Sequence, residues 1–238
     1  MNRLLLFDID GTLVDTAGAG REALRRALLA VFGETGPIDD FDFHGRTDPA
    51  IVRGLMREAG RREEEVEDRL EGVWDSYLRA LAEELEDRRR RGRVSAYPGV
   101  VELLESLAGD PRFTLALVTG NVAAGAWHKL EAADLADHFG FGAFGSDSAL
   151  REDLPPLALR RAARQLGRQY APGEAVVIGD TPEDVRCARA SGVRAVTVAT
   201  GRHRRSELAD HDPDHVFDDL SDTVAVIDVL ASGGAAES

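Results

Sequence analysis

The chain has 238 residues, 43% of them hydrophobic and 30% charged, and a formal net charge of -14. This is the composition of a folded globular protein with length for one full domain plus a smaller one, and its acidic balance opposes general attraction to nucleic acid or anionic lipid. A single cysteine, Cys187, excludes an internal disulfide and reads as a small buried helix residue. With no run approaching a membrane span and an N-terminal apolar stretch too short for a signal peptide, a cytoplasmic protein is expected.

The first element is a strand. Leu4-Leu5-Leu6-Phe7 is a continuous apolar run that ends in Asp8-Ile9-Asp10-Gly11-Thr12, the pattern of a buried parallel strand delivering polar groups at its carboxyl end. Carboxylates two residues apart repel unless a cation or a shared proton relieves them, so Asp8 and Asp10 point to a metal, a proton-transfer pair, or both. Ala23, Leu24, Ala27, Leu28 and Val31 then form a helical stripe over 19–32, closed by Gly33. Thr47-Asp48-Pro49 starts a second helix, with Pro49 at its first turn and Gly60 beyond its end. A third, from 62 to 90, aligns Val66, Leu70, Val73, Trp74, Tyr77, Leu78, Leu81 and Leu85. Its closing run Arg88-Arg89-Arg90-Arg91 suits a solvated helix C-terminus, where cations complement the dipole.

Residues 14–95 therefore hold helices and no convincing strand, whereas strands and helices alternate in the remainder. Phe113 to Val118 is a β-rich run ending in Thr119-Gly120-Asn121, followed by a helix over 123–133. Phe139 to Phe144 leads into Gly145-Ser146-Asp147, and 156–166 is helical. Ala175-Val176-Val177-Ile178 is a further buried strand ending in Gly179-Asp180-Thr181-Pro182-Glu183-Asp184, and the next helix closes at Ser191-Gly192. Strands at 195–198 and 216–217 and a helix over 222–230 complete the pattern. The expected fold class is α/β: a Rossmann-like parallel sheet flanked by helices, formed by 1–13 and 96–231, with an inserted all-α domain over 14–95 and a frayed tail over 232–238.

Three strands thus end in Asp-x-Asp-Gly-Thr, Thr-Gly-Asn and Gly-Asp-x-x-x-Asp, ends that share one edge of a parallel sheet. The combination and order resemble the haloacid dehalogenase-like hydrolases, most of all their phosphoglycolate phosphatase-like branch, and the helical insertion resembles the cap of that superfamily. The resemblance implies a Mg²⁺-dependent phosphatase of a small phosphorylated metabolite, with phosphoglycolate as leading substrate. It makes Asp8 the nucleophile that forms an aspartyl-phosphate and Asp10 the group that protonates the leaving alcohol and then deprotonates water. Chemistry agrees: a carboxylate needs no deprotonating base at neutral pH, and covalent catalysis divides one displacement into two. Gly11 permits a positive-φ turn and close approach to phosphate. Thr119 can donate its hydroxyl to a phosphoryl oxygen, and the N–H groups of Gly120 and Asn121 favour the same anion.

By the same resemblance Asp180 and Asp184, with Asp8 and the backbone carbonyl of Asp10, hold Mg²⁺. Thr181 and Asp184 also read as a helix cap, which leaves Asp180 unexplained. The superfamily places a cation near the nucleophile, often in Lys-Pro-x-Pro; here the corresponding stretch is Asp147 to Pro156, with Asp153 in the lysine place, and Arg151 is the candidate. Lys129, the only lysine of the chain, is the rival. Lying about eight residues into its helix, roughly 12 Å along at 1.5 Å per residue, it is expected to be a surface residue. Within Phe43-His44-Gly45-Arg46-Thr47, Arg46 is the candidate for a substrate carboxylate or phosphate. A phosphosugar mutase shares the same acids, and a non-catalytic phosphate- or Mg²⁺-binding module is the alternative outside enzymes. The lack of lysine in 14–95 disfavours Schiff-base phosphonate chemistry.

Overall fold

The computed structural model describes residues 2–232. The chain begins with β1 (Arg3–Phe7) and β2 (Val14–Asp15), then four helices follow: α1 (Ala19–Phe32), α2 (Asp48–Glu58), α3 (Glu63–Glu67) and α4 (Leu70–Arg90). β3 (Ser95–Ala96), α5 (Val100–Ala108), β4 (Phe113–Thr119), α6 (Ala123–Ala132) and β5 (Gly142–Phe144) come next. A 3₁₀ turn at Arg151–Asp153 leads into α7 (Leu154–Leu166), β6 (Ala175–Gly179), α8 (Pro182–Ala190) and β7 (Arg194–Val198). The described chain ends with α9 (Arg205–Ala209), β8 (His215–Phe217) and α10 (Thr223–Ala231). The expected frayed tail beyond Ser232 lies outside the described residues.

Six strands form one parallel sheet in the order β5-β4-β1-β6-β7-β8. β1 is central because every residue in it is buried, which only a strand covered on both faces can use. Its side chains alternate between the faces. Leu5 and Phe7 join Val176, Ile178, Val196 and Val198 in one core with α5 and α10, while Leu4 and Leu6 join Ala116, Val118, Val177 and Ala195 in another with α7 and α8. From β1 the chain moves to β4 and β5 on one side, then crosses back to β6, β7 and β8 on the other, so the carboxyl ends of β4, β1 and β6 flank a topological switch point.

The helical segment has its own core, in which Leu24, Leu28, Ile51, Leu55, Val73, Tyr77 and Leu81 are buried. Three features differ from the sequence expectation. First, the segment is bounded by a strand pair: Val14 and Asp15 run antiparallel to Ala96 and Ser95. Two-residue strands carry no periodicity, so composition cannot reveal them. Second, the helix expected over 62–90 is two helices, and the break at Asp68–Arg69 still lets both Val66 and Val73 enter the helical core. Third, α9 was absent from the expectation because only Leu208 in it is buried, leaving no apolar stripe. The arginines that close α4 lie at its end, where Arg88, Arg89, Arg90 and Arg91 pair with acids. No described helix is long and apolar enough to cross a membrane.

Candidate active site

Register places the site. Phe7 is level with Leu117 of β4 and Ile178 of β6, so Asp8, Thr119 and Asp180 emerge together at the carboxyl edge of adjacent strands. Asp8 continues the ladder through its N–H, which donates to the Ile178 carbonyl at 2.9 Å. A cavity of about 470 Å³ opens over this edge, and the helical segment forms its other wall through Leu24, Phe43, Arg46, Asp48, Ile51 and Tyr77.

Asp8, Asp180 and Asp184 are buried, and each offers an oxygen within 4.8 Å of the others. Burial, reinforced by Asp184 and Asp10 and opposed by Arg151, pushes the Asp8 carboxyl up to about 6. Burial and the neighbouring Asp184 and Asp8 likewise raise Asp180 well above the usual carboxylate range. Arg151 Nη2 donates to Asp8 Oδ2 at 2.7 Å and to Asp184 Oδ1 at 2.5 Å. Although burial alone would lower its pKa, these two carboxylates raise it and keep the guanidinium charged. Three buried carboxylates beside one guanidinium leave net negative charge, and their all-oxygen donor set suits a hard divalent cation such as Mg²⁺. Asp184 does two jobs: Oδ2 accepts from Thr181 N at 3.0 Å and Thr181 Oγ1 at 2.6 Å, closing the α8 cap, while Oδ1 faces Arg151.

Gly11 has φ +81°, a conformation that disfavours side chains, but its close approach differs from the expected one. A Cβ there would stand 2.3 Å from Asp180 Oδ2, so Gly11 makes room for the Asp180 carboxylate. Thr12 Oγ1 donates to the other oxygen of Asp180 at 3.2 Å. Thr119 Oγ1 accepts from Asn121 N at 3.4 Å and Asn121 Nδ2 at 2.9 Å, leaving its own proton to donate. The Asn121 N–H, expected to serve phosphate, is therefore turned onto the Thr119 hydroxyl. The Gly120 carbonyl accepts from Asp48 N at 2.7 Å, and Asp48 Oδ2 accepts from Val122 N at 2.8 Å, joining the start of α2 to the turn before α6. Burial pushes the Asp48 carboxyl up to about 6, against the pull of Lys129 and the Val122 N–H.

The expected surface position of Lys129 is overturned. It is 4% exposed, and its Nζ lies 2.6 Å from Asp10 Oδ2. Distance from the helix start misled because it was overcounted: from Ala123, where the helix begins as expected, Lys129 is roughly 9 Å along at 1.5 Å per residue, and long helical side chains lean toward the N-terminus. The structure places both candidate cations at the site, Arg151 on Asp8 and Lys129 on Asp10. Arg46 lines the cavity, stands 5.4 Å over the Phe41 ring, and has no carboxylate partner among the described residues.

Residues 3–192 match the family model for haloacid dehalogenase-like hydrolases. The chain belongs to this family. Within haloacid dehalogenase-like hydrolases, it is 29% identical to phosphoglycolate phosphatase 1 of Pseudomonas aeruginosa over 96% of this chain and 81% of that one. It is 28% identical to a phosphoglycolate phosphatase of Vibrio vulnificus, covering 96% of this chain and 97% of that one. A hydrolase structure from Pseudomonas syringae shares the fold at TM-score 0.72 and 24% identity, over 97% of this chain and 100% of that chain.

Several residues of this hydrolase site escaped the motifs. Asp48 and Tyr77 line the cavity from the helical segment, and Thr200 Oγ1 holds the Gly11 carbonyl at 2.6 Å. Nothing in their spacing signals these positions, since each depends on how distant elements meet. Lys129 did carry a signal, as the one lysine in a chain whose other basic side chains are all arginine.

Proposed function

We propose that this chain is a Mg²⁺-dependent phosphomonoester hydrolase working through an aspartyl-phosphate on Asp8, with 2-phosphoglycolate the leading substrate. The observation that carries the reading is the arrangement of Asp8, Asp180 and Asp184 around Arg151, with Asp10 open to the same cavity. Residues 14–95 act as a cap over a core formed by 1–13 and 96–231, and the enzyme works in the cytoplasm.

Asp8 attacks phosphorus with the oxygen that Arg151 leaves free, forming an O–P bond while the bond to the leaving alcohol breaks. Asp10 gives its proton to the departing oxygen. In the second half-reaction Asp10 takes a proton from water, water oxygen bonds to phosphorus, and the Asp8 carboxylate and inorganic phosphate are released. Thr119 directs its free hydroxyl proton at a phosphoryl oxygen, and Gly120 shapes the turn that presents it. Mg²⁺ would be held by Asp8, Asp180, Asp184 and the Asp10 carbonyl, and would supply the positive charge that lets an anionic nucleophile meet an anionic phosphate. Arg46, unpaired at the cavity wall, takes the substrate carboxylate.

The two relatives named phosphoglycolate phosphatase support the substrate, as does Arg46 at the cavity wall. The test is kcat/KM over small phosphorylated acids, sugars and nucleotides with Mg²⁺, read as inorganic phosphate release. Preference for two- or three-carbon acids is expected. A sugar phosphate isomerised without phosphate release would favour a mutase, and an active Asp8→Asn protein would defeat the nucleophile assignment.

A further inference from the structure

Lysine is almost never fully buried without a partner, and the chain buries its only one. Arg3, another buried cation, spends its donors on the main-chain carbonyls of Ala231 and Gly173 and serves the fold. Lys129 is differently placed: its Nζ donates to Asp10 Oδ2 at 2.6 Å and to Asn121 Oδ1 at 2.5 Å. Asn121 completes a triangle, since its Nδ2 donates to the same Asp10 Oδ2 at 2.7 Å. Two donors thus converge on one oxygen of Asp10. Asp10 Oδ1 accepts no side-chain hydrogen bond among the described residues, and the Asp10 side chain is 46% exposed, toward the cavity.

The surroundings explain why the residue is lysine. Gly20 of α1 lies over the ammonium, where a Cβ would come to ordinary contact distance, 3.4 Å from Nζ and 3.7 Å from the Tyr77 hydroxyl. A compact ammonium with rotatable donors fits below it, whereas the planar five-donor fork of arginine demands more space and more acceptors. Helices α1 and α4 therefore close the lid over a charge rooted on α6.

We propose that Lys129 is a positioning residue for Asp10: with Asn121 it pins Oδ2, so that Oδ1 alone carries the proton exchanged with the leaving group and with water. This rests on the phosphatase reading above. In the first half-reaction the proton leaves Asp10 Oδ1 for the leaving alcohol oxygen as its bond to phosphorus breaks and the Asp8–phosphorus bond forms. In the second, the proton of the attacking water returns to Oδ1.

The test is leaving-group dependence. An alkyl phosphomonoester departs as a basic alkoxide and needs the proton; p-nitrophenyl phosphate departs as a stable phenolate and does not. The parameter is kcat/KM, which reports the first half-reaction, for 2-phosphoglycolate or glycerol phosphate against p-nitrophenyl phosphate. Lys129→Met and the less apolar Lys129→Gln are compared with wild type at saturating Mg²⁺, each checked for folding by circular dichroism. A misaligned acid loses about 10²-fold on the alkyl ester, the low end of general acid–base contributions, and far less on the aryl ester. In an Asp10→Asn background Lys129→Met brings no further loss, because the lysine acts through that carboxylate. Equal losses on both esters, no loss on either, or additive losses with Asp10→Asn overturn the proposal. A wild type inactive on every ester indicts the phosphatase reading instead.

Discussion

Replacing the proposed nucleophile should make the metal-free protein more stable. Asp8 is 5% exposed, and its pKa rises from 3.8 to about 6, a balance that already includes the help of Arg151. Holding it ionised well above pH 6 therefore costs about 3 kcal/mol relative to the unfolded chain, at 1.36 kcal/mol per pKa unit. Asparagine has nearly the same shape, keeps an oxygen for the Arg151 N–H, and carries no charge. The sign is fixed by linkage: the folded state binds the proton more tightly, so the contribution of Asp8 to wild-type stability falls as pH rises from about 4 to about 6 and stays low above that. Asp8→Asn lacks this decline. At pH 7.5 in EDTA its Tm should exceed wild type by up to about 6–12 °C, at roughly 2–4 °C per kcal/mol for a chain of this size. Near pH 4 the two should coincide, and saturating Mg²⁺ should favour wild type through mass action on the native state. The assay is thermal unfolding by circular dichroism across pH 4–8, with EDTA or Mg²⁺. A variant no more stable than wild type at pH 7.5 in EDTA, or a difference that ignores pH, would refute the reasoning.

Other outcomes follow from the same geometry. Arg151→Met removes the guanidinium from Asp8 and Asp184 and should destabilise the protein by about 3–5 kcal/mol, as when one partner of a buried pair is lost. Because the cation favours the carboxylate, its loss should also move the acid limb of the kcat/KM profile to higher pH, measured with Mg²⁺ present. Asp180→Asn should raise the Mg²⁺ concentration for half-maximal activity by at least about 10-fold, the lower range for loss of even a supporting residue; metal titration of phosphate release checks this. Gly45→Ala should raise KM more than it lowers kcat. Gly45 has φ +69° and a Cβ there would meet Glu183 Cγ at 2.3 Å, so the loop carrying Arg46 must lift from α8. Unchanged steady-state constants would show that this loop does not touch substrate.

The parts legible in sequence were those whose physics is local. β1 and β6 are buried on both faces and read as unbroken apolar runs, and the chemical motifs begin where those runs stop. α1 declared itself by a stripe and by Gly33, which ends it in the left-handed conformation at φ 75°. The Thr181–Asp184 cap was equally legible, although not that Asp184 would divide its two oxygens between cap and guanidinium. What stayed hidden depends on elements meeting across distance. The pairing of Val14–Asp15 with Ser95–Ala96 exists because both chain passages between sheet and helices lie side by side. Lys129 was misplaced because sequence distance along a helix ignores both side-chain lean and the lid supplied by Gly20 and Tyr77.

The two acids that open the chain receive opposite environments from this arrangement. Asp8 lies dry beneath Arg151 and crowded by Asp184, so its carboxylate is poorly solvated and reactive once a metal offsets the repulsion. Asp10, two residues later in the turn, stands half open to the cavity with one oxygen pinned. That contrast suits the two half-reactions of the proposed mechanism. A nucleophile surrounded by water would be slowed by its own hydration, whereas a base that must activate water needs water within reach. A strand end produces both at once, because Asp8 continues the β ladder into the buried sheet edge while positive-φ Gly11 turns the chain outward immediately after Asp10. Under the proposed mechanism the spacing Asp-x-Asp-Gly lets one strand end supply a dry nucleophile and a wet proton carrier, and the proposed role of the single buried lysine is to keep the second in line with the first.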